Sequence, residues 1–167
     1  MLGLMMKTPL LLSSILTHAA RSFPDVEIFS RSPDKPDHRT NYAGLLKRSS
    51  QLANALIALG IKPGDRVATL AWNGYRHLEL YYGISGMGAV CHTVNPRLFV
   101  DQIVYIINHA EDRFIFFDST FVDLVKQLMP QCPAVESWIY LGDTAEARSV
   151  EISGLMAYEP LMAGQSD

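Results

Sequence analysis

From residue 66 onwards, short apolar segments alternate with helix-forming segments, and this alternation most restricts the folds open to the 167-residue chain. The apolar segments read RVATLAW, AVCHTV, RFIFFD and SWIYLG. Between them, apolar residues recur every three or four positions, as with Ile103, Ile106, Ile107 and Ala110 in VDQIVYIINHA. Strands that alternate with helices of this length imply right-handed crossovers. The predicted fold class is α/β, a layered and mostly parallel sheet flanked by helices on both faces.

The segment before residue 66 predicts one long helix and its exit turn. Its stripe has spacings of four, three, four and three residues, through Leu45, Ser49, Leu52, Leu56 and Leu59. The next residue is a glycine, as at many helix C-termini, and KPGD then has the chemistry of a type II turn. Ahead of the helix, DVEIFS predicts a short strand and RSPDKPDHR an exposed connection.

The N-terminal stretch MLGLMMKTPLLLSSILTHAARSF is weighed as a signal peptide and as a helix. Pro9 and the pair Ser13–Ser14 interrupt its apolar run, which disfavours a signal peptide. We therefore predict a helix capped by Ser13 or Ser14, with an apolar face of Ile15, Leu16, Ala19, Ala20 and Phe23. No stretch approaches the roughly 20 apolar residues of a membrane span.

Three glycines in GISGMGAV raise the question of a phosphate-binding loop. Such loops run from strand to glycines to helix, so that helix N-terminal N–H groups face the anion. Here a helix predicted from an Asn73 N-cap to about Met87 comes first and the strand AVCHTV follows. We therefore predict tight helix packing at Gly83 and Gly86 and a helix-ending turn at Gly88, without phosphate binding.

No other residue makes a persuasive catalytic, cofactor-binding or metal-binding candidate, and none is predicted. His92 is interpreted as a hydrogen-bonded packing residue, and Arg97 as the partner of a surface ion pair. The others weighed are Glu79, which has no identifiable carboxylate partner, Tyr81 and Tyr82 at a helix boundary, Cys91 as a buried apolar residue, Asp101 in a helix first turn, and His109 at a helix end. A formal charge of −3 disfavours nucleic acid as a partner. Two cysteines without metal-ligand spacing fit a reducing, cytoplasmic location.

Several motifs together resemble the N-terminal region of fatty acyl-CoA synthetases, which are adenylate-forming, AMP-binding enzymes. They are GDRVA, WN…HLE.YYG…GMGAV.HT.NPRL and QI.YI.NHAE, and the resemblance covers essentially the whole chain. The resemblance implies an ATP-dependent fatty acid–CoA ligase whose intact form uses ATP, Mg and CoA. Residues 1–167 would be the N-terminal α/β subdomain of a larger AMP-binding domain, with 142–167 a weakly structured tail leading to downstream sequence.

The phosphate loop and catalytic residues of these enzymes lie downstream of such a segment. The resemblance therefore implies that residues 1–167 alone are inactive and bind no cofactor tightly. One departure is TNYAGL, where Gly44 replaces the acidic residue usual at the start of the second helix.

Two other functions stay open at this point: a scaffold or homodimerisation piece, and an independent small nucleotide-binding α/β domain. The order of the glycines disfavours the nucleotide-binding domain. An uncovered sheet edge or apolar face would favour self-association.

Overall fold

The computed structural model describes residue 3, residues 6–31 and residues 36–167. Helices are α1 Leu12–Ser22, α2 Tyr42–Ala58, α3 Tyr75–Gly86, α4 Val100–Ala110, α5 Val122–Leu128, α6 Thr144–Ser149 and α7 Tyr158–Met162. Strands are β1 Glu27–Ser30, β2 His38–Asn41, β3 Arg66–Leu70, β4 Val90–Thr93, β5 Asp112–Phe117, β6 Ser137–Tyr140 and β7 Met156–Ala157. Among these residues, no helix is both long enough and apolar enough to cross a bilayer.

The main sheet has five strands in the order β4-β3-β5-β6-β7, and every neighbouring pair is parallel. This confirms the predicted α/β class. Because all five strands point the same way, their carboxyl ends meet along one edge of the sheet. The loops that follow the strands are therefore gathered at that edge.

Helices cover both faces of this sheet, which is why its central strands are continuously apolar. Along β5, Ile115 and Phe117 face a core shared with α4 and α5, while Phe114 and Phe116 face a second core shared with α2, α3 and α7. Ile115, Phe116 and Phe117 are each fully buried.

The first helix differs from its prediction in two respects. Residue Leu11 stands at the N-cap, and the Ser14 hydroxyl donates to the Leu11 carbonyl oxygen at 2.6 Å instead of capping the helix. Of the predicted apolar face, Leu16 is buried, but Ile15 and Phe23 are 57% and 54% exposed. The neighbouring α2 and α3 cover only one narrow strip of α1.

A separate two-stranded antiparallel hairpin, β1 with β2, precedes α2. The predicted strand in DVEIFS is confirmed as β1. Residues 32–35 of the connection predicted for RSPDKPDHR lie outside the described residues. The predicted C-terminal end of this connection was wrong, because His38 and Arg39 belong to strand β2.

The turns between α2 and β3 have the conformations that their sequences predict. Gly60 has φ +87°, and the N–H of Ile61 reaches back to the Leu56 carbonyl at 3.0 Å, which ends α2 in a Schellman motif. In the following turn, the N–H of Asp65 donates to the Lys62 carbonyl at 3.1 Å, and Gly64 has φ +87°.

The segment 142–167 differs from the weakly structured tail expected for it. It contains α6, β7 and α7, and both Tyr158 and Met162 are buried in the core beneath α2 and α3. Its last residues lie along α2, where the Asn54 amide donates to the Ser166 carbonyl at 2.9 Å. Sequence spacing missed strand β7 because its two residues form too short a pattern to recognise.

Candidate functional site

A crevice of about 450 Å³ opens at the carboxyl edge of the sheet. Trp72 follows β3, Asp118 follows β5 and Asp143 follows β6, and all three line the crevice. Ligands of open α/β sheets commonly bind in this place. The N-terminus of α3 and residue His38 of β2 complete the walls.

Trp72 is held in place by two hydrogen bonds. Its backbone N–H donates to Asp118 Oδ2 at 2.7 Å, and its indole Nε1 donates to Thr120 Oγ1 at 2.7 Å. The ring lies 5.3 Å from that of Phe121, so one face of the indole is packed while 40% of the residue stays exposed. The side chain is therefore a fixed wall of the crevice.

His77, behind this wall, is fixed in one neutral form. Its Nδ1 lies 3.2 Å from the Trp72 carbonyl oxygen, which can only accept, so Nδ1 carries the proton. Its Nε2 then accepts from the Thr69 hydroxyl at 3.0 Å. Burial lowers the pKa of His77, which agrees with a neutral ring that supports the crevice structurally.

His38 and Tyr75 form a second aromatic wall, with ring centroids 3.6 Å apart and planes 14° from parallel. Burial lowers the pKa of His38 and raises that of Tyr75. Both changes favour neutral side chains, so the stacked pair contributes shape and not charge to the crevice.

An ionic network forms the floor. The buried Glu79 carboxylate accepts from Arg48 Nε at 2.6 Å and Nη2 at 3.1 Å, and from the Tyr158 hydroxyl at 2.7 Å. Glu159 sits above it and accepts from Arg48 Nη2 at 3.0 Å and Arg76 Nε at 2.8 Å. Four charges thus balance across α2, α3 and α7.

The electrostatics of the network keep both guanidiniums charged. Burial opposes the charge of Arg48, but Glu79 and Glu159 outweigh it and raise its pKa. Burial likewise opposes the charge of Arg76, and Tyr75 and Glu159 raise its pKa. Because each guanidinium is already paired with a carboxylate, neither is free to bind an anion.

The charge of the crevice lining does not fit a nucleotide phosphate. Carboxylates outnumber guanidiniums there, with Asp37, Asp118, Asp143, Glu146 and Glu159 against Arg31 and Arg76. In the part of the chain that the structure describes, no three His, Cys, Asp or Glu side chains converge as metal ligands. The described residues therefore supply walls and a floor, without a triphosphate cradle.

The glycine cluster lies away from this crevice, at the C-terminal end of α3. A Cβ on Gly83 would stand 2.8 Å from Leu52 Cδ2, which confirms tight helix packing there. Gly88 has φ +88° and ends the helix, also as predicted. The prediction for Gly86 was wrong, because a Cβ there would meet nothing within 4 Å. The expected Asn73 cap was also wrong, since Gly74 occupies the N-cap.

The structure also bears on four other residues that the sequence analysis weighed. His92 is a hydrogen-bonded packing residue, with Nδ1 2.8 Å from Oδ2 of the buried Asp112. Asp101 and His109 stand in the first and last turns of α4, as predicted. Arg97 is exposed, and no described residue forms the expected ion pair with it.

Cys91 was expected to be buried and is only partly so, while burial raises the pKa of its thiol to about 11. The Tyr81 ring stacks on the His77 ring with centroids 4.7 Å apart, and Tyr81 is 40% exposed. Tyr81 therefore covers His77 and is not part of the crevice wall.

Sequence reasoning missed the floor of the crevice. The sequence offered no carboxylate partner for Glu79, but the structure places Glu159 near it, because Arg48 forms ion pairs with both carboxylates. One signal was available: Arg48 falls on the apolar stripe of α2, three residues after Leu45 and four before Leu52. Charged residues on a buried stripe are expected to be paired.

The family model of AMP-binding enzymes matches residues 16–161. The chain belongs to the AMP-binding enzyme family. Among curated members, the chain is 48% identical over 163 residues to the 3-methylmercaptopropionyl-CoA ligase of Ruegeria pomeroyi, covering 98% of the chain and 30% of that ligase. It is 42% identical over 167 residues to the medium-chain-fatty-acid–CoA ligase of Ectopseudomonas oleovorans, again covering 30% of the relative. The chain thus spans less than a third of the length of these relatives.

Solved structures of other proteins share the fold. The acetoacetyl-CoA synthetase of Streptomyces lividans superposes with a TM-score of 0.79 at 20% identity, covering 93% of this chain and 25% of that one. The coronafacic acid ligase of Pectobacterium brasiliense gives 0.79 at 18% identity, covering 95% and 30%.

Proposed function

We propose that this chain is the N-terminal part of an ATP-dependent acyl-CoA ligase. The observation that carries the proposal is its similarity, along essentially its whole length, to ligases that join carboxylic acids to CoA. In the proposed reaction a carboxylate attacks the α-phosphorus of ATP and releases pyrophosphate. The CoA thiol then displaces AMP and leaves the acyl thioester.

The proposed role of residues 1–167 is structural, as the N-terminal α/β subdomain of a larger AMP-binding domain. Support comes from the crevice, whose acidic lining does not fit the triphosphate. ATP, Mg and CoA are accordingly proposed as requirements of the longer enzyme, and a cytoplasmic location is proposed with them.

The acid that the enzyme activates is proposed as a class only. The names of the relatives include a short thioether acid and medium- and long-chain fatty acids. A fatty acid remains the proposed substrate, and a short thioether acid is the alternative that the relative from Ruegeria pomeroyi favours.

Two assays test the proposal. Purified chain with ATP, Mg and a panel of acids is expected to form no acyl-AMP above a no-protein control, and calorimetric titrations with ATP, AMP and CoA are expected to be flat. A chimera that carries this chain in place of the matching part of the Ruegeria pomeroyi ligase is expected to retain acyl-CoA formation.

Each assay has an outcome that overturns its part of the proposal. Acyl-AMP formed by the chain alone would show a catalytic site within it. A folded chimera that forms neither acyl-AMP nor acyl-CoA would show that the chain is not interchangeable with a ligase subdomain.

A further inference from the structure

An exposed apolar segment at the N-terminus has no role in the crevice. Its large side chains are mostly in solvent: Met6 is 79% exposed, Leu10 93%, Leu11 55%, Leu12 58% and Ile15 57%. Soluble surfaces carry single exposed apolar residues routinely, but five within ten residues of sequence form a patch that marks an interaction site.

The geometry of α1 makes part of this patch continuous. Leu11 and Ile15 are four residues apart and Leu12 and Ile15 are three apart, so these three side chains are neighbours on one side of the helix. Leu16, in contrast, is buried against the rest of the protein. The helix therefore has two apolar sides, one packed and one facing outward.

The charged residues closest to the patch in sequence all have one sign. Lys7 precedes Leu10, and Arg21 follows Ile15 near the end of the helix, and both are exposed. Residues 1–24 contain no Asp or Glu. The nearest acids in sequence follow the helix, at Asp25 and at Glu27, and Glu27 is paired with Arg39. In space, Asp167 lies beside the packed side of the helix, where it is paired with Lys47.

We propose that α1 and the residues leading into it form a docking surface for a lipid bilayer with anionic headgroups. Apolar side chains that project from one side of a helix flanked by cations are the features of helices lying in a membrane interface. Each cation near such a surface adds attraction to anionic lipid. A second copy of the chain fits less well, because a two-fold interface across this helix would bring the like charges of Lys7 and Arg21 from the two copies together. The proposal does not depend on the ligase chemistry.

Flotation with vesicles tests the proposal on the purified 167-residue chain. Vesicles of phosphatidylcholine with about 30% phosphatidylglycerol are expected to carry the chain, and pure phosphatidylcholine vesicles are expected to carry markedly less. The double variant Leu12→Glu/Ile15→Glu should reduce the partition coefficient at least about tenfold. Both side chains are exposed, so the variant is expected to fold, and circular dichroism checks this.

Two further variants separate the apolar from the electrostatic contribution. Arg21→Glu should weaken binding to the anionic vesicles alone, and the difference should vanish in 1 M salt. Phe99→Glu is the matched control, because Phe99 is 77% exposed but lies at the start of α4, on the opposite side of the sheet from α1. It should leave flotation unchanged.

The following results would overturn the proposal. Absence of flotation, or equal flotation of the native chain and Leu12→Glu/Ile15→Glu, would refute the membrane surface. A dimer in sedimentation velocity that the same double variant dissociates, without vesicle binding, would assign the patch to self-association instead.

Discussion

Replacing Arg48 with methionine should destabilise the protein more than any substitution of an exposed arginine. The change removes two hydrogen bonds to Glu79, of 2.6 and 3.1 Å, while the Glu79 side chain stays 1% exposed and keeps only the Tyr158 hydroxyl among the partners described above. Removing one member of a buried ion pair typically costs about 3–5 kcal/mol. Because the Arg48 side chain is 28% exposed, water can partly replace it, so we expect the lower end, about 3 kcal/mol.

Urea unfolding followed by tryptophan fluorescence measures this loss, with the 6% exposed Trp138 as the buried reporter. The melting temperature should fall by roughly 6–12 °C, taking about 2–4 °C per kcal/mol for a domain of this size. Arg97→Met is the matched control. Its guanidinium forms no ion pair with the described residues, so the change should stay within about 0.5 kcal/mol.

The double variant Arg48→Met/Glu79→Gln distinguishes the cost of an unpaired buried charge from the cost of lost side-chain packing. A neutral amide can still accept from Tyr158, so at least half of the lost stability should return. A loss below about 1 kcal/mol in Arg48→Met, or no recovery in the double variant, would refute the view that Glu79 depends on Arg48 for its burial.

The glycines of α3 should respond in opposite directions. Gly83→Ala places a Cβ 2.8 Å from Leu52 Cδ2 and should cost about 1–3 kcal/mol, whereas Gly86→Ala meets nothing and should gain up to about 1 kcal/mol in urea unfolding. Equal effects of the two would contradict the packing described. The hydrogen bond to Asp112 raises the pKa of His92, so the stability of the pair is complete below the ordinary pKa of 6.5 and is lost as pH rises through the raised value. Urea unfolding between about pH 5.5 and 8.5 should show this decline in the native chain and its absence in His92→Gln, and identical pH profiles would count against it.

Features set by neighbouring residues were predictable from sequence, and features set by distant contacts were not. The stripe of α2, the Gly60 helix end and the Pro63–Gly64 turn follow from local spacing and local backbone chemistry. Strand β2 could not be found this way. Its sequence HRTN is polar and half exposed, and pairing with β1 is what makes it a strand.

The floor of the crevice shows the same limit for the site. Arg48 and Glu159 are 111 residues apart in sequence, and no local pattern connects them. The exposure of Ile15 was also outside the reach of periodicity, which locates an apolar face but not what covers it. The family resemblance, in contrast, rested on many short matches at once and was confirmed along the chain.

The burial of Glu79 is completed by a residue that is synthesised much later than Glu79 itself. Tyr158, which donates to its carboxylate, is synthesised 79 residues later. At about 5–20 residues per second, that interval is roughly 4–16 s. During this interval, helices α2 and α3 lack the Tyr158 ring that packs edge-on against Phe116 in the folded core. The nascent chain therefore has an unfilled apolar space and a carboxylate with an incomplete set of partners until residues 158–162 have been synthesised. A ribosome that stalls in this interval would hold a partly folded chain whose exposed apolar surface favours aggregation.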